Sequence, residues 1–128
     1  DIGPDGAGRS RKKEHLVDVD YIDKDGNPAV KKGITFNPFL KTKLCGVLTG
    51  SFMRAGKNLY SDIYYNYKSR LENHPIHKTK TKLHRHNMAN RYMIKLFLVD
   101  LHREWRTLEG LSVSVPYSEG KLGMKHAS

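Results

Sequence analysis

"TKLHRHNMANRYMIKLFLVDLHREWRTLEG", residues 81–110, is the stretch on which the fold turns. Its apolar residues Ile94, Leu98, Leu101, Trp105 and Leu108 recur in steps of four, three, four and three. At about 100° per residue these fall on one face of a helix. A second stripe, His84, Arg91, Lys95, His102 and Arg106, runs beside it. The pattern predicts one long helix closed by Gly110, with a core seam and a cationic flank.

Before this helix, "IHKTKTK" reads as a basic linker in which Lys78, Lys80 and Lys82 alternate with threonines. "NLYSDIYYNYKSRLENHP" predicts a second helix. Asn58 is its cap, Asp62 suits the positive end of the helix dipole, and Pro75 closes the segment. Tyr60, Tyr64, Tyr67 and Leu71 form a helical stripe, which reads as core, with base stacking as the alternative. Tyr65 lies off that stripe and is expected to be exposed. "NPFLKTKLCGVLTGSFMRAG" predicts the remaining principal helix, with Asn37 as cap, Pro38 in the first position and Gly56 as the stop. Leu40, Leu44, Val47 and Leu48 are its expected core face, and Gly46 and Gly50 would admit a close backbone.

The front differs in kind. "DIGPDGAGRSRKK" reads as a loop. In "EHLVDVDYI", Val17, Val19 and Tyr21 alternate with Asp18 and Asp20, which is the strand period. Asp25-Gly26 marks a turn, and "AVKKGITF" returns as a second strand. The expected architecture is mainly α, a compact domain of three principal helices with a small N-terminal β-hairpin or extended arm. Residues 1–36 form the loop and hairpin, residues 37–128 form the helical part, and together they make one structural domain. The tail from Leu111 lacks a helical period and is expected to wrap the surface.

The charge is uneven. The chain carries 23 Lys+Arg against 13 Asp+Glu, a formal +10, with 5 bases and 7 acids up to Val30 and 18 bases and 6 acids beyond. That asymmetry points to a polyanion partner, above all nucleic acid. Lys41, Lys43, Arg54, Lys78, Lys80, Lys82, Arg85, Arg91 and Lys95 are the candidate phosphate contacts, the kind that position a protein without reading sequence. The single cysteine, Cys45, rules out an internal disulfide and suits a reducing compartment. The oiliest run, residues 93–101, is broken by Lys95 and Asp100, so no membrane span is expected.

Three clusters have competing readings. His74, His77, His84 and His86 fit no common zinc spacing, and nearby cations oppose a metal; they read as donors on a basic surface. Asp18, Asp20, Asp23 and Asp25 are able to hold magnesium, but the run departs from a calcium-binding loop and reads as a solvated strand face with a turn. Ser10 sits among Arg9, Arg11, Lys12 and Lys13, which would hold a phosphodiester and stabilise its added charge during attack. No paired base for it is evident in the sequence.

Several segments in order, "ITFNPFLKTKLCGVL", "SFMRAG", "YYNYKSRLENHP", "HRHNMANRYMIKLFLVDL", "WRTLEGL" and "PYSEGKLGMKH", resemble the C-terminal domain of the IS-one-ten group of insertion-sequence transposases. These are DEDD recombinases related to the Piv DNA invertase. The resemblance implies DNA transposition by a two-part enzyme. A RuvC-like N-terminal domain binds magnesium through four acids. A largely helical C-terminal domain supplies a serine that links covalently to DNA. It also implies a structured guide RNA, a homo-oligomer with active sites composed across subunits, no membrane, and a place with the nucleoid in a bacterial or archaeal cytoplasm. This sequence corresponds to the second part, so no cofactor is expected in it and the chain alone is not expected to transpose. Ser10 matches the family serine in order: Gly6 and Gly8 before it, a basic run after it, Asn37 opening the next helix. Residues 14–36 lengthen that interval relative to the family. Ser51 is the rival, without a flanking basic run.

Overall fold

The computed structural model describes residues 3–120 and residue 123. The last part of the segment "PYSEGKLGMKH" therefore lies largely outside the described residues. The chain forms two compact units, Asp1–Pro38 with Tyr117–Ser128, and Phe39–Pro116. The fold is mainly helical with a small two-stranded antiparallel hairpin at the front.

In the first unit, β1 (Val17–Ile22) pairs with β2 (Pro28–Gly33) in a register that sets Asp18 opposite Lys32 and Val19 opposite Lys31. The turn is held by the Asp23 side chain, whose Oδ1 accepts from the N–H groups of Asp25 and Asn27, both at 2.9 Å. Gly26 turns there with φ +84°, which favours glycine. Asp18 and Lys32 form a 2.7 Å ion pair across the strands. The apolar face of β1 is open: Val17, Val19 and Tyr21 are all exposed. Where the sequence gives no period, the short helix α5 (Tyr117–Gly120) closes the described tail of this unit.

The second unit is built on three helical runs. The first is α1 (Pro38–Thr42), a π-helical segment (Lys43–Leu48) and α2 (Thr49–Arg54). Pro38 takes the first position as expected. The π turn spaces residues more widely than α geometry, so the expected face does not hold together. Leu40 and Val47 are exposed, Leu44 and Leu48 are half-buried, and it is Thr49 that is buried. A methyl group at Gly46 would meet nothing within 4 Å among the described residues, and at Gly50 only the Arg54 side chain. Among the described residues no second backbone approaches those glycines. Gly56 ends the run with φ +81°.

The second run, α3 (Leu59–Asn73), starts at a reciprocal cap. The Asn58 side chain accepts from Ser61 N–H at 3.0 Å, and Ser61 Oγ accepts from Asn58 N–H at 2.9 Å. Tyr64 and Leu71 are buried, Tyr60 and Tyr67 half-buried, and Tyr65 is exposed, so the stripe faces the core. The third, α4 (Lys82–Leu108), is capped by Thr81, whose Oγ1 accepts from His84 N–H at 3.1 Å.

The core gathers Tyr64, Ala89 and Met93, with Phe52, Met53, Tyr60, Ile63 and Tyr67 against them. Phe52, Tyr60 and Phe97 close one end, ring centres 4.8–5.4 Å apart. This corrects the expected seam of α4. Of Ile94, Leu98, Leu101, Trp105 and Leu108, only Ile94 is buried; Trp105 is 63% and Leu108 85% exposed. The buried face is the neighbouring stripe, Ala89, Met93 and Phe97, about 100° round the helix. Ala89, fully buried, lets α3 approach closely, and Met93 fills the space beside it. Length adds a second reason. At 1.5 Å per residue α4 is roughly 40 Å long and α3 roughly 22 Å. Tyr60, in the first turn of α3, already meets Asp100, so the last two turns of α4 run past their partner.

Candidate functional site

Ser10 lies in a folded loop. Gly6, with φ +74°, turns the chain so that Gly3 N–H bonds Ala7 C=O at 2.9 Å. The Arg9 guanidinium lies where a side chain on Gly3 would stand, and it pairs with Asp5 at 3.5 Å. Arg9 is therefore partly enclosed, while Arg11, Lys12 and Lys13 are exposed. A short 3-10 turn, Lys13–His15, then folds the chain back, with His15 N–H bonding Lys12 C=O at 2.9 Å.

That turn returns the imidazole to the serine. Ser10 Oγ lies 2.9 Å from His15 Nδ1, and Ser10 N–H donates to the same nitrogen at 3.1 Å. A backbone N–H only donates, so Nδ1 holds its lone pair and Nε2 carries the ring hydrogen. The Ser10 hydroxyl shares this one lone pair with the backbone N–H when its hydrogen turns toward Nδ1. Lys12 N–H reaches Ser10 Oγ at 3.3 Å. Glu14 Oε1 stands 3.8 Å from both His15 Nε2 and Lys12 Nζ. The sequence reading missed His15 because the pairing depends on a turn; the only linear signal is a histidine five residues past a serine. Ser51, by contrast, donates to Val47 C=O at 3.1 Å within its own helix, and its hydroxyl is engaged there.

In the helical unit the bases fall into separate groups. Lys78, Lys80, Lys82 and Arg85 crowd the turn between α3 and α4, where a 3-10 turn, His77–Thr79, interrupts the linker. Arg85 is inward-turned: its guanidinium donates to Lys78 C=O at 3.1 Å and also to Lys80 C=O. It braces this turn. His77 sits in the middle with its pKa lowered, first by loss of water and then by the charges of Lys80, His74 and His84. His74 Nδ1 accepts from the N–H groups of Ile76 and His77. His86 is half-buried and turned toward α3. Its Nδ1 lies 2.6 Å from Tyr64 Oη and its Nε2 3.0 Å from the Asn90 amide.

Arg91 and Lys95 lie further along α4 and line a shallow groove with Tyr67, Met88 and Tyr92. Tyr67 and Tyr92 stack at 4.2 Å and 12°. Tyr67, a member of the tyrosine stripe, thus reaches a basic groove. Arg54 stands at the other end: two residues before it, Phe52 packs on Phe97, 15 residues and roughly 22 Å along α4 from Lys82. Lys43 lies over the Phe39 ring at 5.3 Å, and Lys41 is exposed on the same helical run. The nine bases do not form one patch.

Among the described residues no three His, Cys, Asp or Glu side chains come together as a metal site. No helix among the described residues is long and apolar enough to cross a membrane. No family model, curated protein or solved structure matches the chain.

Proposed function

We propose that the chain acts in DNA recombination as the serine-supplying, phosphate-gripping C-terminal part of an insertion-sequence transposase of the IS-one-ten type. One observation carries this reading: Ser10 Oγ lies 2.9 Å from an imidazole nitrogen in a loop that bears Arg9, Arg11, Lys12 and Lys13. A nucleophile needs a base within hydrogen-bond reach, and an attacked phosphodiester needs cations for its extra negative charge. Both are present within the seven residues from Arg9 to His15. The Lys78–Arg85 turn and the Arg91–Lys95 groove are surfaces for the backbone of DNA or of a guide RNA. Magnesium, bound by the family's N-terminal domain, supplies charge neutralisation at the phosphate; this chain's residues supply the nucleophile and the grip. The working form is a homo-oligomer at the nucleoid of a bacterial or archaeal cytoplasm.

Strand exchange with a RuvC-like domain supplied in trans tests this. A covalent protein–DNA adduct is expected in the wild type and absent in Ser10→Ala. The second reading is a non-catalytic DNA- or RNA-binding module, favoured by the density of lysine at the 78–85 turn. Salt-sensitive binding with no adduct in either protein would select it.

A further inference from the structure

We infer that His15 is the general base for Ser10, held in the required tautomer by the Ser10 backbone and supported by Glu14, so that the loop reacts with phosphorus electrophiles by itself. This rests on the reading of Ser10 as a nucleophile and adds to it the residue that activates the hydroxyl.

A serine hydroxyl is a weak nucleophile until its proton has somewhere to go. Here the acceptor is defined. The Ser10 N–H at 3.1 Å keeps Nδ1 unprotonated and turned toward Oγ at 2.9 Å. As Oγ attacks, the Oγ–P bond forms, the Ser10 N–H releases the Nδ1 lone pair, and the hydroxyl proton passes to it. The bond from phosphorus to the leaving group breaks, and the leaving group departs with its electron pair. The imidazolium then carries hydrogen on both nitrogens. Its Nε2–H faces Glu14 Oε1 at 3.8 Å, where the carboxylate steadies the new charge. The imidazolium returns the proton to the leaving group or to solvent. Exposed Arg11 and Lys13 flank the loop where the anionic phosphate must approach. The serine, imidazole and carboxylate come from residues 10, 15 and 14, so the loop's own backbone builds the arrangement without a second domain.

The test treats the full chain with diisopropyl fluorophosphate, a phosphorus electrophile that needs no DNA site, and follows the modified residue by intact mass and peptide mapping. Labelling is expected at Ser10 and nowhere in Ser10→Ala. His15→Gln is expected to slow it by roughly 100-fold or more, the scale of a general base, and Glu14→Gln within about fivefold, the range of an exposed ion pair. Because His15 also shapes the turn, His15→Gly with added imidazole separates chemistry from structure. Restored labelling supports the base; slow labelling that imidazole does not restore overturns it. Labelling unchanged in His15→Gln, or no labelling of Ser10 in the wild type, overturns it too. A Ser10–DNA adduct that is indifferent to His15→Gln removes the base but leaves the recombination reading. Conversely, His15-dependent labelling without any DNA adduct keeps the base and removes that reading.

Discussion

Tyr60 Oη donates a 3.0 Å hydrogen bond to Asp100 Oδ2, tying the first turn of α3 to the last third of α4. The bond, after burial, is a cause of the raised Tyr60 pKa; Tyr64 is raised as well, chiefly by burial and then by Tyr65 and Glu72. A raised tyrosine pKa means the folded state holds the proton more tightly than the unfolded chain. The stabilisation is complete below the ordinary value near 10 and is lost as pH rises through the folded pKa. Urea unfolding across the alkaline range is expected to show falling stability above pH ~10. The fall is shallower in Tyr60→Phe, which at neutral pH costs about 1–2 kcal/mol for the missing bond. An equally steep fall in that variant would contradict this.

The exposed stripe of α4 gives a contrast within one helix. Met93→Ala is expected to cost about 2–5 kcal/mol, since it empties a fully enclosed site. Leu108→Ala is expected to stay within about 0.5 kcal/mol, because Leu108 is 85% exposed. Denaturant midpoints of the two variants read this directly. A large loss at Leu108 would restore the seam that the spacing suggested.

Lysine and arginine at the 78–85 turn are expected to behave differently. Replacing Lys78, Lys80 and Lys82 with Ala should weaken duplex binding and flatten its salt dependence, by about 0.9 in slope for each phosphate no longer neutralised. Arg85→Ala should instead loosen the turn, since its guanidinium holds Lys78 C=O and Lys80 C=O. Faster amide hydrogen exchange across residues 77–82 is the expected sign. An unchanged salt slope in the triple lysine variant would remove the turn from the binding surface.

His77 offers a pH readout of that surface. Its lowered pKa means the folded turn resists protonation that the unfolded chain accepts. The stability it contributes is present above the ordinary histidine value and is lost as pH falls through that value toward the folded pKa. A bound polyanion opposes the charges of Lys80, His74 and His84, so adding an oligonucleotide should move the His77 titration upward. Imidazole proton shifts with and without the oligonucleotide measure it. No movement on binding would place the nucleic acid elsewhere.

Much of the secondary structure was legible. Asn58, Pro75, Gly56 and Gly110 bound their helices as local chemistry requires, and Asp25-Gly26 turns the hairpin. These signals act within a few residues, so the chain states them directly. The faces were less legible. In α4, two apolar stripes lie side by side, and periodicity does not rank them. The one that packs contains His86, Asn90 and Asp100, polar residues that a hydrophobic pattern passes over. Tyr64 and Tyr60 partner two of them, the half-buried His86 and Asp100, at the edge of the core. The π turn in residues 43–48 hid the true face of the first run in the same way.

The site divides along the same line. Ser10 and its neighbouring bases were visible because they are adjacent in sequence. His15 was not, because only the 3-10 turn brings its Nδ1 onto Oγ. Arg85 reads as a phosphate ligand in the sequence, and its carbonyl partners emerge only in the fold. By itself the sequence determined the helices, the hairpin, their ends and the basic character of the chain, since each depends on backbone preference, capping or charge within a short window. Only the tertiary structure decided which helical face is buried, which cations turn inward and which base meets the serine. Those depend on hydrogen-bond partners and packing distances that no linear spacing encodes.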